Sequence, residues 1–126
     1  MLLVRTRIDR SPIHGLGLFA VEPIARGTPV WRFTAGFDLE LPPSRLDQVS
    51  PEQREQLLHY GYIDPRLGAF ILCCDGARFI NHSDTPNIAP DFSQDPHGID
   101  IAVRDIATGE EITADYAIVE GSRPLG

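Results

Sequence analysis

Polar residues that directly follow an apolar segment could hold a small ligand. Asn81, His82 and Ser83 come after Ala77 to Ile80, which we predict to be a buried strand. Their side chains supply several hydrogen-bond donors and acceptors, enough to hold a small polar ligand. Taken alone, they have a simpler interpretation: Asn81 makes a side-chain turn and His82 packs in the core with internal bonds.

Two other segments could do chemistry. In His14-Gly15-Leu16-Gly17 the glycines allow positive φ and close approach of the backbone to a ligand, although an ordinary turn explains them equally well. Tyr116 ends the segment Glu111 to Tyr116, which we predict to be a strand. On its own, this tyrosine is more simply a residue that packs its ring in the core.

Together and in order, these segments resemble the motifs of SET-domain lysine methyltransferases. Residues 78–87 read RFINHSDTPN and resemble the signature RFINHSxxPN, residues 14–20 resemble the family's glycine motif, and residues 109–116, GEEITADY, resemble GEELTxDY. The resemblance covers about Arg5 to Tyr116. It implies a mainly β fold, the β-clip of small curved sheets with a C-terminal pseudoknot and one short inserted helix. We expect the SET domain over residues 1–117 and a tail over 118–126 that closes over the active site, with Ile118 and Val119 as its apolar residues.

The resemblance also implies a cofactor, S-adenosylmethionine. Its predicted contacts, largely through backbone atoms, are His14, Gly15, Leu16, Gly17, Arg78, Asn81 and His82. Leu16 stands where many members have tryptophan. Tyr116 is the predicted catalytic residue, because the family places this tyrosine where the lysine channel meets the transferred methyl group.

The predicted substrate channel contains Tyr60, Tyr62, Phe79 and Ala114. Aromatic rings can surround the alkyl stem and ammonium group of a lysine, although core packing explains the three aromatic residues equally well. Ala114 occupies a position that is Phe or Tyr in many members. The smaller side chain leaves space beside the amine, which favours di- or trimethylation.

The predicted reaction transfers a methyl group to a lysine ε-amine on a protein. Such a displacement depends mainly on alignment and on an electrostatically matched site. The alternatives are a non-catalytic module that binds a peptide or the cofactor, and methylation of a small amine or a non-lysine side chain.

Charge and composition limit the partners. The formal net charge is -7, with 18 acidic and 11 basic residues, so an extended nucleic-acid footprint is not expected and a basic protein or peptide is compatible. All the basic residues are arginine. No apolar run is long enough for a membrane span, and we expect a cytoplasmic protein; the sequence does not indicate an oligomeric state.

The two cysteines indicate neither a disulfide nor a metal site. Cys73 and Cys74 are adjacent at the end of the apolar run Ala69 to Cys74, so their side chains should point to opposite faces of a strand. They are expected to be small core residues. Ala117 to Gly126 contains no cysteine, unlike the zinc-binding segment that follows the last motif in many eukaryotic members.

The rest of the chain reads as short strands and one helix. Ser50, Pro51 and Gln53 form a capping-box pattern for a helix that should end near Gly61. The other predicted strands are Leu3 to Ile8, Leu18 to Val21, Pro29 to Thr34, Ala69 to Cys74 and Ile99 to Val103. We predict a loop over Pro86 to Gly98, and a hairpin turn at Thr108-Gly109 between the last two strands.

Overall fold

Ten short strands and few helices make up the part of the chain that the structure describes. The computed structural model describes residues 1–119. The strands are β1 (Thr6–Arg10), β2 (Leu16–Ala20), β3 (Pro29–Arg32), β4 (Leu39–Leu41), β5 (Tyr62–Asp64), β6 (Ala69–Leu72), β7 (Asn81–His82), β8 (Ile88–Asp91), β9 (Ile99–Ala102) and β10 (Glu111–Ala114). The helices are α1 (Pro51–Tyr60) and α2 (Tyr116–Val119), with 3-10 helices at Pro43–Gln48 and Gly76–Phe79. The predicted fold class, small sheets with one short inserted helix, is confirmed.

The strands form three small sheets. Their orders are β1-β2-β10-β7, β3-β9-β8 and β4-β6-β5. Strand β10 is antiparallel to β2 and parallel to β7, so it lies between two strands from much earlier in the chain. Strand β10 therefore lies between β7, which carries Asn81 and His82, and β2, which begins within the glycine turn (residues 14–17).

The core lies where these sheets meet. One buried cluster contains Leu18, Val30, Ile88, Ile112 and Ala114 among others, and a second contains Trp31, Cys73 and Ala77. Ile80 packs against both clusters. It therefore joins the sheet that carries the motifs to the sheet that carries Trp31.

The predicted helix begins and ends as its sequence indicates. The Ser50 side chain accepts a hydrogen bond from the Gln53 N–H, the Gln53 side chain accepts one from the Ser50 N–H, and Gly61 caps the other end. None of its residues is buried. Local capping, rather than an apolar face, therefore defines this helix. Within residues 1–119, no helix has the length and apolar character needed to cross a membrane.

Two predicted segments are wrong. Ala77 to Ile80 is not a strand, because Asp75 accepts a hydrogen bond from the Ala77 N–H and starts the 3-10 helix Gly76–Phe79. The predicted loop Pro86 to Gly98 contains β8, which pairs with β9 along its whole length. The pairing with β9 overrides the polar and proline-rich composition of this segment.

The C-terminal hairpin is also wrong. Gly109 makes a turn with φ of +81°, but β9 and β10 on either side of it belong to different sheets. Tyr116 starts α2 rather than ending a strand, and the Asp115 carboxylate accepts a hydrogen bond from the Ala117 N–H in its first turn. Ala114 and Tyr116 are therefore not neighbours on one strand face. Apart from the backbone of Ile118 and Val119 in α2, the predicted tail lies outside the described residues.

The prediction that both cysteines are small core residues is right for Cys73 and wrong for Cys74. Cys73 is buried, Cys74 is exposed, and neither forms a disulfide. Burial raises the pKa of the Cys73 thiol to about 12, so this side chain stays protonated and behaves as a small apolar group.

Candidate active site

Asn81 ties the glycine turn to the strand that carries His82. Its side-chain amide donates to the carbonyl of His14 at 3.1 Å, to the carbonyl of Leu16 at 3.0 Å and to Glu111 Oε2 at 2.9 Å. The side chain is buried and these contacts are all internal. Asn81 therefore holds the turn in place with its side chain, while its backbone belongs to the parallel pairing of β7 with β10.

Both glycines of the turn have a structural reason to be glycine. Gly15 has φ of +48°, and nothing lies within 4 Å of the position that a Cβ would take. At Gly17 a Cβ would lie 2.4 Å from Glu111 Oε2. Beside them, the side chains of Ile13 and Leu16 are exposed and leave apolar surface on the turn.

His82 and Tyr116 contact each other directly. The Tyr116 N–H donates to His82 Nδ1 at 3.1 Å, and the two rings have centroids 5.4 Å apart. Because Nδ1 accepts, the proton of the neutral imidazole lies on Nε2, which donates to Asp84 Oδ1 at 3.0 Å. The Tyr116 hydroxyl donates to the Ile80 carbonyl. The tyrosine ring is thus fixed at both ends.

A cleft of about 210 Å³ opens beside Tyr116 and Ala114. Tyr60 and Tyr62 line this cleft as well. Phe79 does not, because it packs edge-on against Tyr60 with ring centroids 5.9 Å apart. The structure therefore places three of the four predicted channel residues on the cleft wall and the fourth behind it.

Arg78 also lines the cleft, and the bonds of its side chain are on that wall. Its guanidinium donates from Nε and Nη2 to the Cys73 carbonyl at 3.1 and 2.8 Å, and lies 5.6 Å from the centre of the Tyr60 ring. The predicted cofactor residues therefore divide into two groups. His14 to Gly17, Asn81 and His82 form one side of the site, whereas Arg78 belongs to the cleft wall.

Sequence reasoning missed the polar groups on the other wall of the cleft. Trp31, Asp100 and His97 line it together with Tyr62. Burial raises the pKa of the Asp100 carboxyl to about 7, and burial also raises the pKa of the Tyr62 hydroxyl. The sequence pattern around Asp100 indicates the wrong environment, because a polar residue between Ile99 and Ile101 is typical of a solvent-facing strand position.

Tyr116 connects the two halves of the site. Its backbone N–H contacts His82, and the neighbouring residue Asn81 is bonded to the glycine turn. Its ring lines the cleft. The three predicted groups, far apart in sequence, therefore converge on one place. Within residues 1–119, no three His, Cys, Asp or Glu side chains are grouped closely enough to hold a metal ion.

Comparisons with known proteins give one family. The SET domain family model matches residues 15–117. Human histone-lysine N-methyltransferase 2D is 30% identical over 112 residues, which are 86% of this chain and 2% of that protein. Trithorax of Drosophila virilis, a histone-lysine N-methyltransferase, is 34% identical over 86% of this chain and 3% of its own length. The enzyme ATX2 of Arabidopsis thaliana, also so named, is 31% identical over 89% of this chain and 11% of its own length. The chain thus spans only a small part of these relatives.

Solved structures show the same fold. A Plasmodium falciparum protein assigned as a histone methyltransferase has a TM-score of 0.60 at 21% identity, and the match covers 91% of this chain and 95% of that one. A humanized mutant of Polycomb Repressive Complex 2 from Chaetomium thermophilum, bound to an inhibitor, has a TM-score of 0.59 at 25% identity. That match covers 90% of this chain and 15% of the other.

Proposed function

We propose that this chain, which belongs to the SET-domain family, transfers a methyl group from S-adenosylmethionine to the ε-amine of a lysine in a protein. The observation that carries the proposal is the position of Tyr116. Its N–H is bonded to His82 on the side of the glycine turn, and its ring faces a cleft lined by Tyr60, Tyr62 and Ala114. A residue that lies between a cofactor surface and a substrate cleft is where the two reactants would meet.

The residues of the glycine turn fit the proposed cofactor. The open space beside Gly15 lets a ligand approach the backbone closely, and the exposed side chains of Ile13 and Leu16 could cover its apolar parts. His82 is half-exposed beside the turn. When bound, S-adenosylmethionine would supply an electrophilic methyl group on a positively charged sulfur.

The chain's own contribution is alignment. Tyr116 is fixed by bonds to His82 and to the Ile80 carbonyl, so its ring can define where an incoming amine stops. Tyr60 and Tyr62 offer aromatic surface to the methylene stem of a lysine. Since a near-attack geometry can account for several kcal/mol of a barrier, about 7 or more in the best intramolecular cases, positioning of this kind is a sufficient role for these side chains.

The proposed substrate is a basic protein. The relatives are named for their action on histones, and the net charge of -7 on this chain is compatible with a cationic partner. Because the chain contains no lysine, it cannot be its own side-chain substrate. Ala114 leaves room beside Tyr116, which favours addition of more than one methyl group.

The test is transfer of label from S-adenosylmethionine to protein. The purified chain is incubated with the labelled cofactor and either core histones or a mixed protein lysate, and labelled lysines are identified by mass spectrometry. Labelling of lysine would support the proposal if the substitution Tyr116→Phe strongly lowers it. Tyr60→Phe is the matched control, since it removes a hydroxyl from the cleft that contacts neither His82 nor Ile80, and it should lower the label less.

The same experiment separates the alternatives. Cofactor binding measured by calorimetry without transfer to any protein would support a non-catalytic module. Label found only on free amines or on other side chains would support a different acceptor. Absence of cofactor binding would overturn the proposal and the module together.

Three predictions from sequence belong to the same proposal. They are the location in the cytoplasm, the boundary between a SET domain over residues 1–117 and a tail over 118–126, and closure of the active site by that tail. Removal of residues 118–126 tests the last two, since the remaining chain should stay folded but bind substrate less tightly.

A further inference from the structure

Three polar groups at one end of the cleft have no hydrogen bond to the part of the chain that the structure describes. They are the indole N–H of Trp31, the hydroxyl of Tyr62 and the carboxylate of Asp100. Trp31 is only 3% exposed. Of the three groups, the Trp31 indole nitrogen is the one that is fully buried, whereas Asp100 is half-buried. Buried polar groups are nearly always paired in folded proteins, so a buried donor next to a half-buried carboxylate on one cavity wall indicates a place for a ligand.

These groups lie side by side. Trp31 and Asp100 are opposite each other across β3 and β9, and Asp100 is opposite Pro90 across β9 and β8. Directly opposed residues in antiparallel strands point to the same face, with Cβ atoms roughly 5 Å apart. Trp31, Asp100 and Pro90 line the cleft as one row.

The row is continuous with the Tyr116 end of the cleft. Ile80 packs against the cluster that contains Ala114 and against the cluster that contains Trp31. The Ile80 carbonyl accepts a hydrogen bond from the Tyr116 hydroxyl. A side chain whose amine stops at Tyr116 and Ala114 would therefore lie along Ile80, with Trp31 and Asp100 on the adjoining wall.

Among residues 1–119, no ion pair neutralises Asp100, although several charged groups lie near it. The N-terminal ammonium lowers its pKa, but that ammonium is itself paired with Asp38 at 2.7 Å. The other titratable or charged residues that line the cleft are His59, Tyr60, Tyr62, Asp64, Cys73, Arg78, His97 and Tyr116. Arg78 is bonded to the Cys73 carbonyl, and the ring nitrogens of His97 face Asp95 and Glu40. Among the charged groups of residues 1–119, none is therefore paired with this carboxylate, which can pair with a cationic ligand.

We propose that Asp100 contacts the substrate amine directly: its carboxylate pairs with the substrate's ammonium group inside the cleft and takes up one proton before methyl transfer. This inference rests on the proposed function, and it assigns the acceptor as a primary amine that is charged at neutral pH. The N–H bond breaks and its electron pair stays on nitrogen. Nitrogen then forms a bond to the methyl carbon, the carbon–sulfur bond breaks with its pair going to sulfur, and the proton remains on Asp100.

The chemistry of the carboxylate suits this role. A free lysine ammonium has a pKa of about 10.4 and no lone pair to attack with, so it must lose a proton first. Burial raises the pKa of Asp100 to about 7, which gives a base that accepts a proton near neutral pH more readily than an ordinary carboxylate.

The test uses n-butylamine, a mimic of the lysine side chain, and follows binding by NMR titration at about pH 8, where a primary amine with a pKa of about 10 is charged. Asp100→Asn should weaken n-butylamine binding on the order of tenfold or more, because the neutral amide cannot pair with the ammonium. n-Butanol should bind the unmodified chain more weakly than n-butylamine, and Asp100→Asn should bind both equally. Asp47→Asn, a change at an exposed carboxylate paired with Arg54, is the control and should bind n-butylamine as the unmodified chain does. Equal n-butylamine affinity in Asp100→Asn and the unmodified chain would overturn the inference.

Methyl transfer gives an independent readout. If no protein is labelled but n-butylamine binding depends on Asp100, the proposed function fails and the amine site stands. If protein lysine is labelled and Asp100→Asn changes neither the labelling rate nor n-butylamine binding, the function stands and the role of Asp100 fails.

Discussion

The backbone N–H of Tyr116 donates a hydrogen bond to Nδ1 of His82 at 3.1 Å. This bond joins the first turn of α2 to β7, at the end of the parallel pairing in which Ala114 is the partner of His82. The position of the tyrosine ring thus depends on a strand register, on one imidazole and on the Ile80 carbonyl. Each of these can be changed separately.

His82→Ala should lower methyl transfer on the order of 100-fold, since loss of the bond to the Tyr116 N–H lets the ring shift and small displacements at a reacting centre are costly. The change should leave the fold intact, because the His82 side chain is 41% exposed. The rate is measured with labelled cofactor at saturating substrate. Asp84→Asn is the matched control: it keeps the imidazole and alters only the partner of Nε2, so its effect should be smaller. Full transfer by His82→Ala would show that this bond does not position Tyr116.

Asn81→Ala should destabilise the chain by about 2 to 3 kcal/mol, because two carbonyls and the Glu111 carboxylate lose a buried donor together. Cofactor affinity should fall with it, since the glycine turn is no longer tied to β7. Urea unfolding measures the first effect and calorimetry the second. Thr85→Ala, which removes one exposed hydrogen bond in the same segment, should change the free energy of unfolding by less than about 0.5 kcal/mol. A similar small change in Asn81→Ala would contradict the structural role given to its amide.

Local signals predicted the parts of the fold that local contacts determine. The capping box at Ser50 and Gln53 predicted the start of α1 because both of its hydrogen bonds form within four residues. The predicted burial of Cys73 is found, whereas Cys74, which was also expected in the core, is exposed two residues beyond the end of β6. The glycine turn, Asn81, His82 and Tyr116 were identified by resemblance of their motifs, and the structure brings them together.

Partners distant in sequence determine the parts that could not be predicted. Asp100 looks solvent-facing beside Ile99 and Ile101, yet its strand lies between β3 and β8 and its side chain faces the cleft. A turn at Gly109 looks like a hairpin, yet β10 pairs with β2 and β7. No periodicity within one strand shows which neighbours it will have.

Ala114→Phe should restrict the reaction to fewer methyl groups per lysine, because the added ring enters the cleft beside Tyr116. Mass spectrometry of the product gives the distribution of methylation states. The stability cost should be about 1 to 3 kcal/mol and less than in the closed core, because Ala114 is buried but also lines the cleft. Ala102→Phe is the matched control: Ala102 is 1% exposed in the closed core, so the same change there should cost about 1 to 3 kcal/mol or more. An unchanged distribution of methylation states would mean that Ala114 does not limit the space for the amine.

Asp100→Asn should stabilise the chain at neutral pH, by an amount that grows between about pH 4 and pH 7. The folded-state pKa of Asp100 is about 7, whereas that of an unfolded aspartate is about 3.9, so between these values the folded state binds more protons than the unfolded state. The contribution of this group to stability is therefore fully present below about pH 4 and is lost as the pH rises towards about 7, with an upper limit of about 4 kcal/mol. Asparagine does not titrate, so Asp100→Asn does not lose stability in this way.

Urea unfolding of the unmodified chain and of Asp100→Asn at about pH 4.5 and about pH 7.5 gives the difference in the free energy of unfolding at each pH. Asp47→Asn should differ from the unmodified chain by less than about 0.5 kcal/mol at both values, since its carboxylate is exposed. A difference between Asp100→Asn and the unmodified chain that is equal at the two pH values would show that this carboxyl titrates as an ordinary surface group.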